Sequence, residues 1–328
     1  MDSEQKDDDA DALEDAVIWT PEVERVAKTV ARWVRLDTPG GTVFGKQRNG
    51  KSSACTYLAA VLPGTIGYQL AIITWTIPKN DSSKEREFTQ ERMQQSGCSA
   101  ILHRDVAVLR GRLYDHIFQL AAAAGARRIV VIIDEAQNLC AEQYGYLVHC
   151  FNALVSRQLR PFFLLVGQPE LKETTYSWLR SAELQVVGRF HVNRHVFRGI
   201  ALSDLKAVLS EFDKSSTPDG PSRASILLPD AYARGWRIAD LDVPLREAVQ
   251  LASRQHNLTE EIRIPMQYLR STVLAFIYYI VEERVDPMQA SSAVLLRCLR
   301  ESGFLYVITH YVENEDVEDP GAFRKGAA

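Results

Sequence analysis

The chain has 328 residues, enough for one large or two modest domains with a real core, and its apolar and charged fractions of 46% and 24% are those of an ordinary soluble protein. Its net charge of -4 is unevenly placed: residues 1–15 hold eight acids against one lysine, the tail from Glu313 holds five against two cations, and the body between is mildly basic. A disulfide framework and a membrane span are both excluded, because the five cysteines are scattered, odd in number and without a C-x-x-C, and the longest apolar run, 273–281, is too short to cross a bilayer.

The acidic opening, residues 1–15, has too little apolar content to fold and is expected to be disordered, as is the acidic tail 313–328. Thr20 followed by Pro21 predicts a helix start, with Val23, Val26, Ala27, Val30, Trp33 and Val34 on one face. Thr42-Val43-Phe44 is a short apolar strand. The loop that follows, residues 45–52, reads G-x-x-x-x-G-K-S and leads into the helix-compatible stretch 53–62. That spacing suits a phosphate chain. Gly45 and Gly50 permit the turns that aim backbone N–H groups inward, Lys51 reaches the β/γ oxygens, and the Ser52 hydroxyl is placed to ligate Mg²⁺. Gln47, Arg48, Asn49 and Ser53 complete the expected cradle.

Residues 69–77 form a second strand candidate closed by Pro78, and the segment 79–91 after it is polar and charged. Residues 105–124 read as a helix, with Val106, Leu109, Leu113, Ile117 and Leu120 on one side and Gly125 as the stop. Five apolar β-formers, residues 129–133, predict a strand buried on both faces in a parallel sheet, and it ends in Asp134 and Glu135. A carboxylate there suits the Mg²⁺ shell and its neighbour suits a general base for water. An amphipathic helix over 143–157 and a strand over 161–166 follow, the latter running into Gly167-Gln168-Pro169-Glu170. Residues 190–197 alternate as a last strand. Beyond Gly199 the pattern is helical, clearest over 202–212, 245–254, 265–283 and 287–300, with a loop at 214–225. Strands alternating with helices, then helices alone, give an α/β fold: a P-loop parallel sheet flanked by helices over 16–198, followed by a mostly helical lid over 199–312.

Together, the phosphate loop, Asp134-Glu135-Ala136-Gln137, Gly167-Gln168-Pro169-Glu170-Leu171 and Gly188-Arg189-Phe190 resemble an AAA+ ATPase. More narrowly they are similar to transposition regulators of the TnsC/TniB type, with secretion-associated relatives of the ExeA type. The resemblance covers about residues 20–312. It implies Gln168 as the sensor of the γ-phosphate and Arg189 as an arginine finger offered to a neighbouring subunit, with Arg194 as its competitor. Arg263 is only a weak match to a second sensor. No N-K-x-D string is present, so ATP is expected rather than GTP, and no second ATPase-like core stands where a helicase needs one.

The function implied is an ATP-dependent regulator that assembles as a ring or filament on duplex DNA and links a target selector of the TniQ/TnsD kind to a transposase, with hydrolysis resetting the assembly. The location implied is a bacterial cytoplasm, in keeping with the scattered thiols and with no membrane partner. In such regulators the elements between the second and the catalytic strand hold the DNA backbone. Here that points to Lys79, Lys84, Arg86, Arg104, Arg110 and Arg112, with Arg104 and Arg112 eight residues apart and so expected on one helix face. The competing reading, an AAA+ signalling or secretion-associated ATPase acting on protein partners without DNA, draws on the ExeA-type relatives.

Overall fold

The computed structural model describes residues 18–99, 101–215 and 220–312. Both acidic ends therefore lie outside the described residues. The chain divides into two compact units, one of residues 25–45 and 51–197, the other of residues 18–24, 46–50 and 198–312.

The first unit is built on five parallel strands, β1 (Gly40–Phe44), β2 (Leu70–Thr76), β3 (Arg128–Asp134), β4 (Arg160–Gly167) and β5 (Arg194–Val196), in the order β2-β3-β4-β1-β5. Every residue of β3 is buried, which is why its sequence is a continuous β-branched run rather than an alternation. Its alternate residues Ile129, Val131 and Ile133 share one apolar cluster with Phe163, Leu165, Leu109, Leu113, Ile117, Tyr144 and Leu147. Register pairs Phe44 with Gly167 and Thr76 with Asp134, so four strand ends fall on one edge of the sheet. Ligands of open parallel sheets bind at such a carboxyl edge.

The flanking helices are α1 (Pro21–Arg35), α2 (Lys51–Ile66), α3 (Glu85–Gln95), α4 (Val106–Ala123), α5 (Ala141–Ser156), α6 (Glu170–Arg180) and α7 (Leu184–Phe190). α1 starts as its sequence predicts: Pro21 is its first residue, and the Thr20 hydroxyl accepts from the Val23 N–H at 3.2 Å. Three readings need correction. Within 79–91 the chain is not merely a polar stretch, because α3 begins at Glu85 and buries Phe88, Thr89, Arg92 and Met93. Arg92 stays buried there because Asp81 pairs with it at 3.4 Å. The strand expected over 190–197 is only Arg194–Val196, because Phe190 closes a helix in which Val186 and Phe190, four apart, share one buried face. Within 214–225, Ser215 bridges Ser222, and a short helix starts at Arg223.

The second unit pairs β6 (Ile200–Ala201) antiparallel with β7 (Arg263–Ile264). Its helices are α8 (Leu205–Phe212), α9 (Arg223–Leu227), α10 (Pro229–Ala233), α11 (Asp242–Gln255), α12 (Met266–Glu283), α13 (Ser292–Glu301) and α14 (Phe304–Val307). Leu209, Phe212, Trp236, Leu245, Leu269, Phe276, Leu299 and Phe304 form its core. No helix among the described residues is long and apolar enough to cross a membrane.

Candidate nucleotide site

The phosphate loop leaves β1 at Phe44, and the Gly45 N–H donates to the Gly167 carbonyl at 3.1 Å, which anchors the loop to the end of β4. Arg48 and Gly50 take positive φ, 62° and 98°, and the chain then turns directly into α2 at Lys51. Gly50 is the position where a side chain would be strained by the backbone itself. The first turn of α2 contains no acid, although acids are favoured at helix N-termini. The first N–H groups of any helix lack partners within the helix, so such a terminus favours an anion.

Lys51 is buried at 6% exposure, and its ammonium donates to the Gly45 carbonyl at 2.8 Å. Burial pulls its pKa below the ordinary lysine range, and the nearby Glu135 and Asp134 charges oppose that shift. Asp134, at the end of β3, is equally buried. Burial raises its pKa, while hydrogen bonds from the Ser52 hydroxyl and the Glu135 N–H (2.9 Å) counteract the rise. The Ser52 hydroxyl and the Asp134 carboxylate are therefore neighbours. Two hard oxygen donors at the mouth of a phosphate loop fit Mg²⁺, which takes one or two protein oxygens and keeps several waters.

Glu135 adopts φ 55° and ψ 34°, the left-handed region, and this sharp bend turns the chain off the strand into a single 3-10 turn, Ala136–Asn138. Its Oε2 accepts from Gln137 Nε2 at 2.6 Å and from Gln168 Nε2 at 3.4 Å. Gln137 Oε1 in turn accepts from the Gln168 N–H at 3.0 Å. The structure thus brings Lys51, Ser52, Asp134, Glu135 and Gln168 to one edge of the sheet. It adds Gln137, which the sequence places in the D-E-A-Q string without a role. A side-chain amide two residues after a carboxylate is too common a pattern to be read without the turn that folds it back.

In the second unit, the loop residues have their own partners. Lys46 Nζ donates to the Val312 carbonyl at 2.8 Å, the Tyr311 hydroxyl donates to the Gln47 carbonyl at 3.1 Å, and the Gln267 N–H donates to the Arg48 carbonyl at 3.2 Å. The Arg48 guanidinium lies 5.3 Å from the centre of the Tyr268 ring. Asn49 is buried and Ser53 exposed. Arg263, on β7, pairs with Glu261 at 3.4 Å.

Arg189 folds back along its own helix: Nη1 donates to the Gln185 carbonyl at 3.0 Å, Nη2 to Asn152 Oδ1 at 3.1 Å, and the guanidinium stacks 5.5 Å from the Phe151 ring. Arg194 lies on β5 with its guanidinium 5.9 Å from the Tyr176 ring. Of the six cations the sequence singles out between β2 and β3, Lys79, Arg86 and Arg104 are exposed. Lys84 is exposed and pairs with Glu87 at 3.4 Å. Arg110 instead joins Glu85 across the α3–α4 pair at 2.6 Å, and Arg112 donates to the Leu102 carbonyl at 3.4 Å. Arg104 does not share a helix face with Arg112, because Asp105 caps α4 through the Ala107 N–H and leaves Arg104 outside the helix.

Residues 37–174 match the family model described as an AAA domain. The structure of the Aeropyrum pernix ORC2 protein in its ADPNP–ADP complexes is similar with a TM-score of 0.58 at 14% identity, covering 86% of this chain and 67% of that one. The ADP form of the same protein gives a TM-score of 0.53 at 13% identity, with 85% and 67% covered. No curated protein matches the chain. With five parallel strands in this order, a phosphate loop after β1 and a helical region after the sheet, the chain has the P-loop AAA+ fold.

Proposed function

We propose that this protein is an ATPase that regulates transposition: it binds ATP with Mg²⁺, assembles on duplex DNA, and couples a target selector of the TniQ/TnsD kind to a transposase. The observation that carries the ATPase part is the convergence of Lys51, the Ser52–Asp134 pair and the Glu135–Gln137–Gln168 network at the carboxyl edge of the sheet. Ser52 and Asp134 would hold the Mg²⁺, which supplies charge neutralisation at the phosphate oxygens when bound. Lys51 and the N-terminus of α2 bind the phosphates. Glu135 takes a proton from a water as that water's oxygen bonds to the γ-phosphorus and the bond to the β-phosphate oxygen breaks, leaving ADP and inorganic phosphate. Gln168 is suited to sense the γ-phosphate, and Arg189 to reach a neighbouring subunit after release from Asn152. The bound γ-phosphate then holds the assembling state and hydrolysis releases it.

The DNA part rests on the exposed cations Lys79, Lys84, Arg86 and Arg104, carried between β2 and β3 on and around the α3–α4 pair. Contact with phosphates predicts an affinity with little sequence preference that falls linearly with salt on a log–log scale. The test is a titration of duplex DNA at several salt concentrations, with a non-hydrolysable ATP analogue present. Lys79→Ala, Arg86→Ala and Arg104→Ala should each weaken binding across sequences and flatten the slope by about one unit. Unchanged slopes in all of them would move the DNA surface elsewhere. A wild type that hydrolyses ATP but binds no DNA would favour a signalling ATPase acting on protein partners.

A further inference from the structure

We propose that Gln137 is a positioning residue for Glu135: its side chain clips the carboxylate to the end of β4, so that the place of Gln168 sets the place of the base. This rests on the reading of Glu135 as the general base. The hydrogen bonds define the orientation of the clip without ambiguity. The Gln168 N–H can only donate, so the Gln137 atom facing it at 3.0 Å is the oxygen. The amide nitrogen is then the atom 2.6 Å from Glu135 Oε2, so a donor faces the carboxylate oxygen. The room for this contact comes from Gly167. A Cβ at that position would stand 2.5 Å from Gln137 Oε1 and 3.2 Å from the Gln137 backbone nitrogen.

Two features make the clip more than a local bond. Glu135 itself takes the left-handed conformation and Gln137 lies in the 3-10 turn that follows, so the side-chain bond spans the bend and holds the carboxylate against it. Both amides, from Gln137 and Gln168, donate to the same oxygen, Oε2. Oε1 receives neither of them and is the oxygen suited to take the water proton. A shift of Gln168 on meeting a γ-phosphate moves its N–H and its side chain together, and the Gln137 amide carries that movement to Glu135.

The experiment uses the full chain and measures ATP turnover together with affinity for a fluorescent ATP analogue. Gln137→Leu should lower kcat about 10–100-fold, the scale of losing an orienting contact, with KM and analogue affinity within about twofold of wild type. Gln137→Glu keeps the length, the shape and the acceptor facing Gln168 but loses the donor. A space-filling role predicts near-normal turnover for it, whereas the clip predicts a loss at least as large as for Leu. Gln168→Ala leaves its backbone N–H in place and so should retain the Gln137-dependent part of the rate. In a Glu135→Gln background, Gln137→Leu should add no further loss, because it acts through Glu135. Should Gln137→Leu fail to fold, Gln137→Glu alone decides the matter. Normal kcat in Gln137→Glu, or equal falls in affinity and kcat for both variants, overturns the clip. Normal turnover in Glu135→Gln instead overturns the reading of the base, so the two failures are told apart.

Discussion

Lys51 and Glu135 divide the work of the site in a way that two substitutions separate. Lys51 is buried beside two carboxylates, and in the proposed site its ammonium would neutralise the phosphate oxygens of ATP. Lys51→Ala should abolish binding of the ATP analogue. Glu135→Gln keeps the shape and loses the proton acceptor, so binding should persist while turnover falls about 10²–10⁴-fold. A Lys51→Ala protein that binds normally would remove the loop from the site. His191 offers a pH prediction of a different kind. It is buried, its Nδ1 shares a hydrogen bond with the Thr175 hydroxyl at 2.8 Å, and burial with the Arg194 charge lowers its pKa from 6.5 to about 4. The unfolded chain therefore takes up this proton first as the pH falls from about 6.5. Stability is full above that pH and declines until about pH 4, by about 3 kcal/mol in all. His191→Asn should flatten this slope. Urea midpoints at pH 7.5 and 4.5 that shift equally in both proteins would count against it.

The helices between β2 and β3 show how one residue type splits into two roles. Lys79, Arg86 and Arg104 are exposed, while Arg110 ties α4 to α3 through Glu85. Arg110→Ala should lower stability by about 1 kcal/mol, as for a half-exposed pair, with the salt slope of DNA binding unchanged. A flattened slope with unaltered stability would instead place Arg110 on the DNA. The sequence marks α4 plainly, because Leu109, Leu113 and Ile117 recur at helical spacing and are buried. It does not mark α3 or α6. α3 buries only Phe88 and Met93 as large apolar residues and uses Thr89 and Arg92 for the rest of its inner face. α6 buries only Leu171 and Thr175. Such helices are held by their neighbours rather than by their own pattern.

At the scale of the whole molecule, the proposed function requires assembly. Arg189 is engaged with Asn152, Gln185 and Phe151 of its own chain, so a role in a neighbour's site requires those contacts to be exchanged. Arg189→Ala subunits should bind ATP normally and hydrolyse it slowly, while Lys51→Ala subunits should not bind it. Mixing the two should restore part of the activity, because Lys51→Ala subunits still offer Arg189 to intact sites next door. Wild-type turnover per subunit should also rise with protein concentration. No rescue together with concentration-independent turnover would indicate a monomeric enzyme.

The sequence by itself determined the four longer strands of the sheet and the loop-to-helix turn over 45–52. Continuous apolar runs such as 129–133 make a strand only when buried on both faces, and G-x-x-x-x-G-K-S between a strand and a helix leaves few other uses for its glycines and lysine. It also placed Asp134 and Glu135 at a strand end, because the polar residues begin where the apolar run stops. The meeting of Glu135, Gln137 and Gln168 was decided by tertiary structure alone, since it depends on a left-handed bend and on β3 lying beside β4 with Gly167 at its end. The same holds for which arginines are paired and which are exposed. Charge is written in the sequence, but Arg92 finds Asp81, Arg110 finds Glu85 and Arg189 finds Asn152 only when separate elements pack, and a burial pattern carries no record of its partners.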